Sequence, residues 1–226
     1  MPLTPALSPK RGEGEPILPF VFAKQKLQRL AELIPIGQHL TTPWKVVLAG
    51  KPNVGKSSLM NRLLGYERSI VFDQPGTTRD VLEATTSFDG WPVRLIDCAG
   101  LGDSTDAIER EGVSRARQAL ATAELVLVVT DAREPLTDEE LHLLSLSAPT
   151  ILVANKIDLL AGTSATLARL PSDTHRVETC ATTGQGLEDL VAKIVATLVP
   201  HSPRPGESVP FTAEHFHRLR AHPQLC

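Results

Sequence analysis

An octapeptide, Gly50-Lys-Pro-Asn-Val-Gly-Lys56-Ser57, stands between a short β-rich run, Lys45–Ala49, and a helical stretch, Lys56–Leu64. Few features restrict a fold more tightly. The glycines let the backbone curl until successive N–H groups point inward, and the helix that starts there adds its positive dipole end. Such a loop cradles phosphates. Asn53, Val54, Gly55, Lys56, Ser57 and Ser58 are its candidate binding residues. Lys56 sets a cation against the β- and γ-phosphates, and the Ser57 hydroxyl is placed to ligate Mg²⁺. A strand before and a helix after the loop imply an α/β sheet. The motif alone says only nucleoside triphosphate, because ATP and GTP share these phosphates.

The rest of the chain continues that alternation. Leu82–Phe88 and Val93–Ile96, joined by Asp89-Gly90, read as a hairpin. A helix over 110–121, a strand over 125–130, a helix over 137–147 and a strand over 150–154 follow. A short strand near His175–Glu178 and a helix from Leu187 to Leu198 complete the pattern. The implied architecture is three-layered, a mostly parallel sheet with helices on both faces and one antiparallel strand. Aromatic content of 4% leaves Val, Leu, Ile and Ala to fill the core.

Asn155-Lys156-Ile157-Asp158 ends an apolar strand, and Lys156 lies 100 residues beyond Lys56. A carboxylate here can accept two hydrogen bonds from guanine, from its ring N–H and its amine. Adenine would face it with a lone pair, and an unpaired, desolvated carboxylate costs on the order of 1–3 kcal/mol. The Lys156 stem can lie over the purine face. Cys180-Ala181-Thr182, after the next strand, would support the base through the Ala181 N–H.

Asp97-Cys-Ala-Gly100 closes the strand Val93–Ile96. Its aspartate can hold Mg²⁺ through water, and the Gly100 N–H can meet the γ-phosphate. Pro75-Gly-Thr77-Thr78-Arg79-Asp80 lies between the first helix and second strand of the domain. A threonine hydroxyl there would complete the magnesium shell when the γ-phosphate is present; the plainer reading is a Gly-Thr turn.

PNVGKSS and GTTRD, followed by VRLIDCAGL and NKID, resemble the TrmE (MnmE) family of bacterial tRNA-modification GTPases and, more broadly, the Era and Der GTPases. The likeness spans about residues 44–198 and implies a Ras-like P-loop G domain that hydrolyses GTP to GDP. By that resemblance Ser57 and Thr78 carry magnesium. Asn53 would ligate potassium together with Thr77 and the backbone carbonyls around Phe72 and Gln74. In the family this cation replaces an arginine finger and is seated by GTP-dependent pairing of two G domains through their switch regions. Family members lack the usual glutamine after the D-x-x-G motif, and Leu101 agrees. They use a later glutamate to orient the attacking water, which the match places at Glu109. The alternative for Glu109 is a solvated acid in the first turn of helix 110–121, favoured by the dipole. Thr78, Glu109 and Gly100 are thus the catalytic candidates.

Full-length family members also carry a folate-binding domain and a split helical domain. Residues 20–43 are expected as a helical lead-in, with a helix Val21–Ile36 stopped by Pro35-Ile-Gly37. Residues 44–199 form the G domain, and 200–226 a proline-rich linker and short helix, Thr212–Arg220. The helix and tail read as remnants of the helical region. Residues 1–19, with five prolines, are expected to be disordered. Cys226 does not sit in the family's cysteine context, so its chemistry is not carried over. Net charge is −3, which gives no global reason to bind nucleic acid. No apolar run nears the roughly 20 residues of a membrane span, and nothing resembles a signal peptide. With three cysteines in no metal or disulfide pattern, a cytoplasmic protein with no membrane partner is expected. Cys98 and Cys180 read as small packing groups, and His215, His217 and His222 as a solvated tail. Two alternatives to the tRNA-modification role stay open: a ribosome-assembly GTPase, or a GTP-dependent binding module with little turnover.

Overall fold

The computed structural model describes residues 18–66, 82–98, 107–160 and 174–220. They form two compact units, one from His39 to Ser202 and one in which the segments up to Gln38 and from Pro203 come together.

The larger unit is built on a six-stranded sheet of order β2-β3-β1-β4-β5-β6. Its strands are β1 (Trp44–Ala49), β2 (Leu82–Phe88), β3 (Trp91–Asp97), β4 (Leu125–Asp131), β5 (Thr150–Asn155) and β6 (Arg176–Glu178). All neighbours pair in parallel except β2 and β3, the hairpin turned at Asp89-Gly90. Its helices are α3 (Lys56–Leu64), α4 (Ala107–Ala121), α5 (Asp138–Leu144) and α6 (Leu187–Leu198). β4 is buried at every position, as a strand covered on both faces must be. Ala49, Val126, Val128 and Leu152 pack with Leu136 and Leu143, the latter on α5, while Val47, Ile96 and Cys98 meet Ala116 of α4. On α3 and α6, which pack against each other and on the sheet, Leu59, Leu63, Leu190 and Ile194 are fully buried. Each such leucine or isoleucine contributes about 1.5–3 kcal/mol by leaving water.

Helix ends depart from the sequence reading for local reasons. α5 starts at Asp138 because Thr137 and Glu140 form a capping box. It ends at Leu144, well short of residue 147, where the Ser145 hydroxyl donates to the His142 carbonyl and breaks the pattern. α4 begins at Ala107 rather than 110.

In the smaller unit, the helix expected over 21–36 is two helices, α1 (Leu18–Glu32) and α2 (Ile34–Gln38). Pro35 does not stop α2; it sits in its first turn, where a missing N–H costs nothing. Gly37 is inside that helix because a Cβ there would collide with the Pro210 carbonyl. α1 also packs against α7 (Ala213–Arg220). The Arg29 guanidinium grips Glu207 at 2.8 and 3.1 Å, and the Arg204 N–H donates to the same carboxylate at 2.8 Å. Arg29 above all, then the Arg204 N–H, holds Glu207 down at a pKa of about 2. The disorder expected over 1–19 falls outside the described residues up to position 17; Leu18 and Pro19 open α1. Among the described residues, no helix is long and apolar enough to cross a membrane.

Candidate nucleotide site

Every candidate loop with described residues leaves the sheet at the carboxyl end of a parallel strand: β1, β3, β5 or β6. Open α/β sheets bind ligands along that edge. A cleft of about 500 Å³ opens there, lined by Pro52, Asn53, Gly55, Lys56, Ser57, Ser58, Asp97 and Lys156. The sequence reading named all of these except Pro52.

At the phosphate end, Gly55 adopts φ +99°, and a Cβ on it would strike the side-chain amide of Asn155. Lys56, the first residue of α3, is buried, and its ammonium donates to the carbonyls of Gly50 and Lys51 at 2.8 and 2.7 Å. Burial pushes its pKa below the ordinary lysine value, and the nearby Asp97 charge offsets this only in part. Ser57 donates to Asp97 Oδ2 at 2.6 Å. The other oxygen, Oδ1, is buried with no hydrogen-bond partner among the described residues. A hydroxyl and a half-satisfied carboxylate, both oxygen donors, fit a hard divalent cation such as magnesium.

The base end is wired differently. Asn155, 1% exposed, donates from Nδ2 to the Val54 carbonyl at 2.9 Å. Its Oδ1 accepts from the Ala181 N–H at 3.0 Å and from the Thr179 hydroxyl at 3.3 Å. Asn155 is therefore a rivet between three loops, and the Ala181 N–H expected to support a base points at it. Lys156 has φ 65°, and its ammonium donates to the Asn53 carbonyl at 2.6 Å and to Asp131 Oδ2 at 3.0 Å. Asp158 follows, exposed, in the 3₁₀ turn Ile157–Leu159. Cys180 is buried with its sulfur 3.0 Å from the Thr182 hydroxyl. Burial pushes that thiol up, but the hydroxyls of Thr182 and Thr183 outweigh it and leave it below its ordinary value. Cys98 is buried too, and burial lifts its thiol to about 11.

Two residues were missed by the sequence reading. Arg62, at the far end of α3, donates to the Ala181 carbonyl at 2.9 Å and also to that of Thr182. Asp131, at the end of β4, accepts from Arg133 through its N–H at 3.1 Å, Nε at 2.9 Å and Nη2 at 2.7 Å, besides Lys156. Arg133 chiefly, with Lys156 beside it, holds this buried carboxyl well below the usual range. The available signal was positional: a charge ending the run Leu125–Thr130 at the ligand-binding edge of the sheet.

Phe72, Gln74, Thr77, Thr78 and Gly100 lie outside the described residues. Glu109 is the third residue of α4, with its side chain also outside them. His215 and His217 are exposed on α7.

Residues 45–156 match the family model described as "50S ribosome-binding GTPase". The tRNA modification GTPase MnmE of Nitratidesulfovibrio vulgaris (strain DP4) is 45% identical over 171 residues, covering 73% of this chain and 37% of the relative. The chain belongs to the TrmE-type P-loop GTPases. It spans well under half the length of that relative. Among solved structures, the G domain of the T. maritima FeoB iron transporter is 33% identical, with a TM-score of 0.50 over 68% of this chain and 98% of that one. A tyrosine-to-alanine variant of Aquifex aeolicus Era, bound to GDP·AlF4⁻, is 28% identical, with a TM-score of 0.57 over 73% of this chain and 61% of that one. Both are similar to this chain in the Ras-like α/β architecture that the resemblance implied.

Proposed function

We propose that this TrmE-type GTPase turns over GTP with magnesium and a potassium ion, the latter seated when two G domains pair through their switch segments, in a tRNA-modification-like role in the cytoplasm. The observation that carries the chemistry is the Ser57–Asp97 contact, with one carboxylate oxygen buried beside the phosphate loop and unpartnered among the described residues. Ser57 and Asp97, with Thr78, would hold magnesium, which when bound neutralises charge on the transferring phosphate. Lys56 and the α3 N-terminus bind and orient the β- and γ-phosphates. Asn53, Thr77 and the carbonyls at Phe72 and Gln74 would hold potassium, and Glu109 orients the attacking water. The Gly100 N–H meets the γ-phosphate. Asp158 reads the guanine edge, and Ala181, whose N–H is held by Asn155, flanks the base. The MnmE name of the relatives supports the tRNA link.

Phosphate release measured in potassium against sodium tests the reading. Turnover stimulated by potassium alone is expected. None in either salt would turn the chain into a nucleotide-gated binding module. A second reading, ribosome assembly, is favoured by the description of the matching family model. GTP-dependent co-sedimentation with ribosomal subunits, and none with tRNA, would establish it.

A further inference from the structure

Lys156 combines two facts that call for an explanation. It is a side-chain-bearing residue in the left-handed region, at φ 65°, a conformation that disfavours any Cβ. Its long, flexible stem is nonetheless pinned, because the ammonium lies between the Asn53 carbonyl on the phosphate loop and Asp131 on β4. A lysine head with one acceptor can swing about it; one held by acceptors on two separate elements cannot. Where the four-carbon stem lies is thus decided by Asp131, whose side chain is 4% exposed and itself locked by three donors of Arg133.

We propose that Asp131 is a positioning residue for purine binding: its carboxylate holds the Lys156 ammonium so that the stem is laid along the base face before nucleotide arrives. The proposal rests on the guanine-nucleotide reading of the cleft. It adds that affinity for the base is set partly by a carboxylate that does not touch it. Preorganising the lysine removes an ordering cost from binding. Losing one charge-assisted bond of this kind weakens binding about tenfold.

The test is calorimetric titration of the full chain with GDP and with pyrophosphate, which fills the phosphate loop without a base. The variants are Asp131→Asn, Lys156→Met, the pair together, and Arg133→Ala. Asp131→Asn is expected to weaken GDP about tenfold while pyrophosphate stays within about twofold. Lys156→Met should lose GDP affinity as well, and the double variant should lose little more, since the two residues act as one unit. Arg133→Ala, which removes two of the donors that lock Asp131 but keeps the carboxylate beside Lys156, should cost GDP less than Asp131→Asn does. The proposal is overturned if the two losses add in full, if pyrophosphate falls in step with GDP, or if Arg133→Ala costs as much as Asp131→Asn. Should Asp131→Asn not fold, Asp131→Glu carries the same comparison between the two ligands. A wild-type chain that takes up pyrophosphate but not GDP would defeat the base reading itself.

Discussion

The two ends of the cleft meet the same demand, holding polar groups out of water, in opposite ways. At the base end, Asn155 is satisfied on both its oxygen and nitrogen, and Asp131 and Lys156 answer each other's charge. At the phosphate end, Lys56 is a buried cation leaning on neutral carbonyls, and Asp97 keeps one oxygen without a partner among the described residues. The base end is framework; the phosphate end is charge stored against the fold. Removing Asn155 from the first should therefore damage stability most, and removing Lys56 from the second should damage binding most.

Lys56→Met offers the largest separation. Two or more charge-assisted bonds to phosphate are lost, at about 1.5–3 kcal/mol each, so GDP and GTP affinity should fall about a hundredfold or more. The melting temperature of the nucleotide-free variant should stay level or rise, measured by calorimetry; a clear drop would break the contrast. Asn155→Ala should do the reverse. It strands the Val54 carbonyl and the Ala181 N–H, costing about 2–3 kcal/mol and lowering the melting temperature by about 6 °C. Asp158→Asn, on an exposed residue, belongs to neither class. It should leave stability unchanged, weaken GDP about tenfold, and raise the preference for xanthosine diphosphate, read by competition binding.

The smallest effect is in pH. Asp131 has a folded pKa below the ordinary carboxylate value, so its contribution is complete above pH 3.8 and fades as pH falls through the lower folded value. Lys56 has a folded pKa below 10.5, so the penalty of its buried charge is relieved as pH rises through that lowered value toward 10.5. In denaturant titrations without nucleotide, Asp131→Asn should converge on wild type in acid, and Lys56→Met should converge on it in alkali. Parallel curves across both windows would remove the electrostatic basis of the comparison.

The parts legible in the sequence were those that depend on one segment at a time. The Gly50–Ser57 loop, the apolar strands and the Asp89-Gly90 turn carry their geometry in local chemistry, so the sheet and its ligand edge followed. What escaped depends on pairs far apart in the chain. Arg62 reaches the carbonyls at Ala181 and Thr182, and nothing near either signals the other. Asn155 was legible as part of the N-K-x-D tetrapeptide, but its bonds to Val54, Thr179 and Ala181 join segments that no local pattern links. α2 escaped because Pro35 and Gly37 argue locally against a helix, and only the approach of Pro210 gives the glycine its purpose.

The missing Cβ at Gly55 has an evolutionary reach. Because the Asn155 amide fills that space, the two motifs are toothed into each other, and neither can drift without the other. A nucleotide preference transplanted by grafting a foreign base loop would succeed only if the donor loop brings an amide of the same length. Any enlargement of residue 55 would have to be matched by a smaller residue at 155.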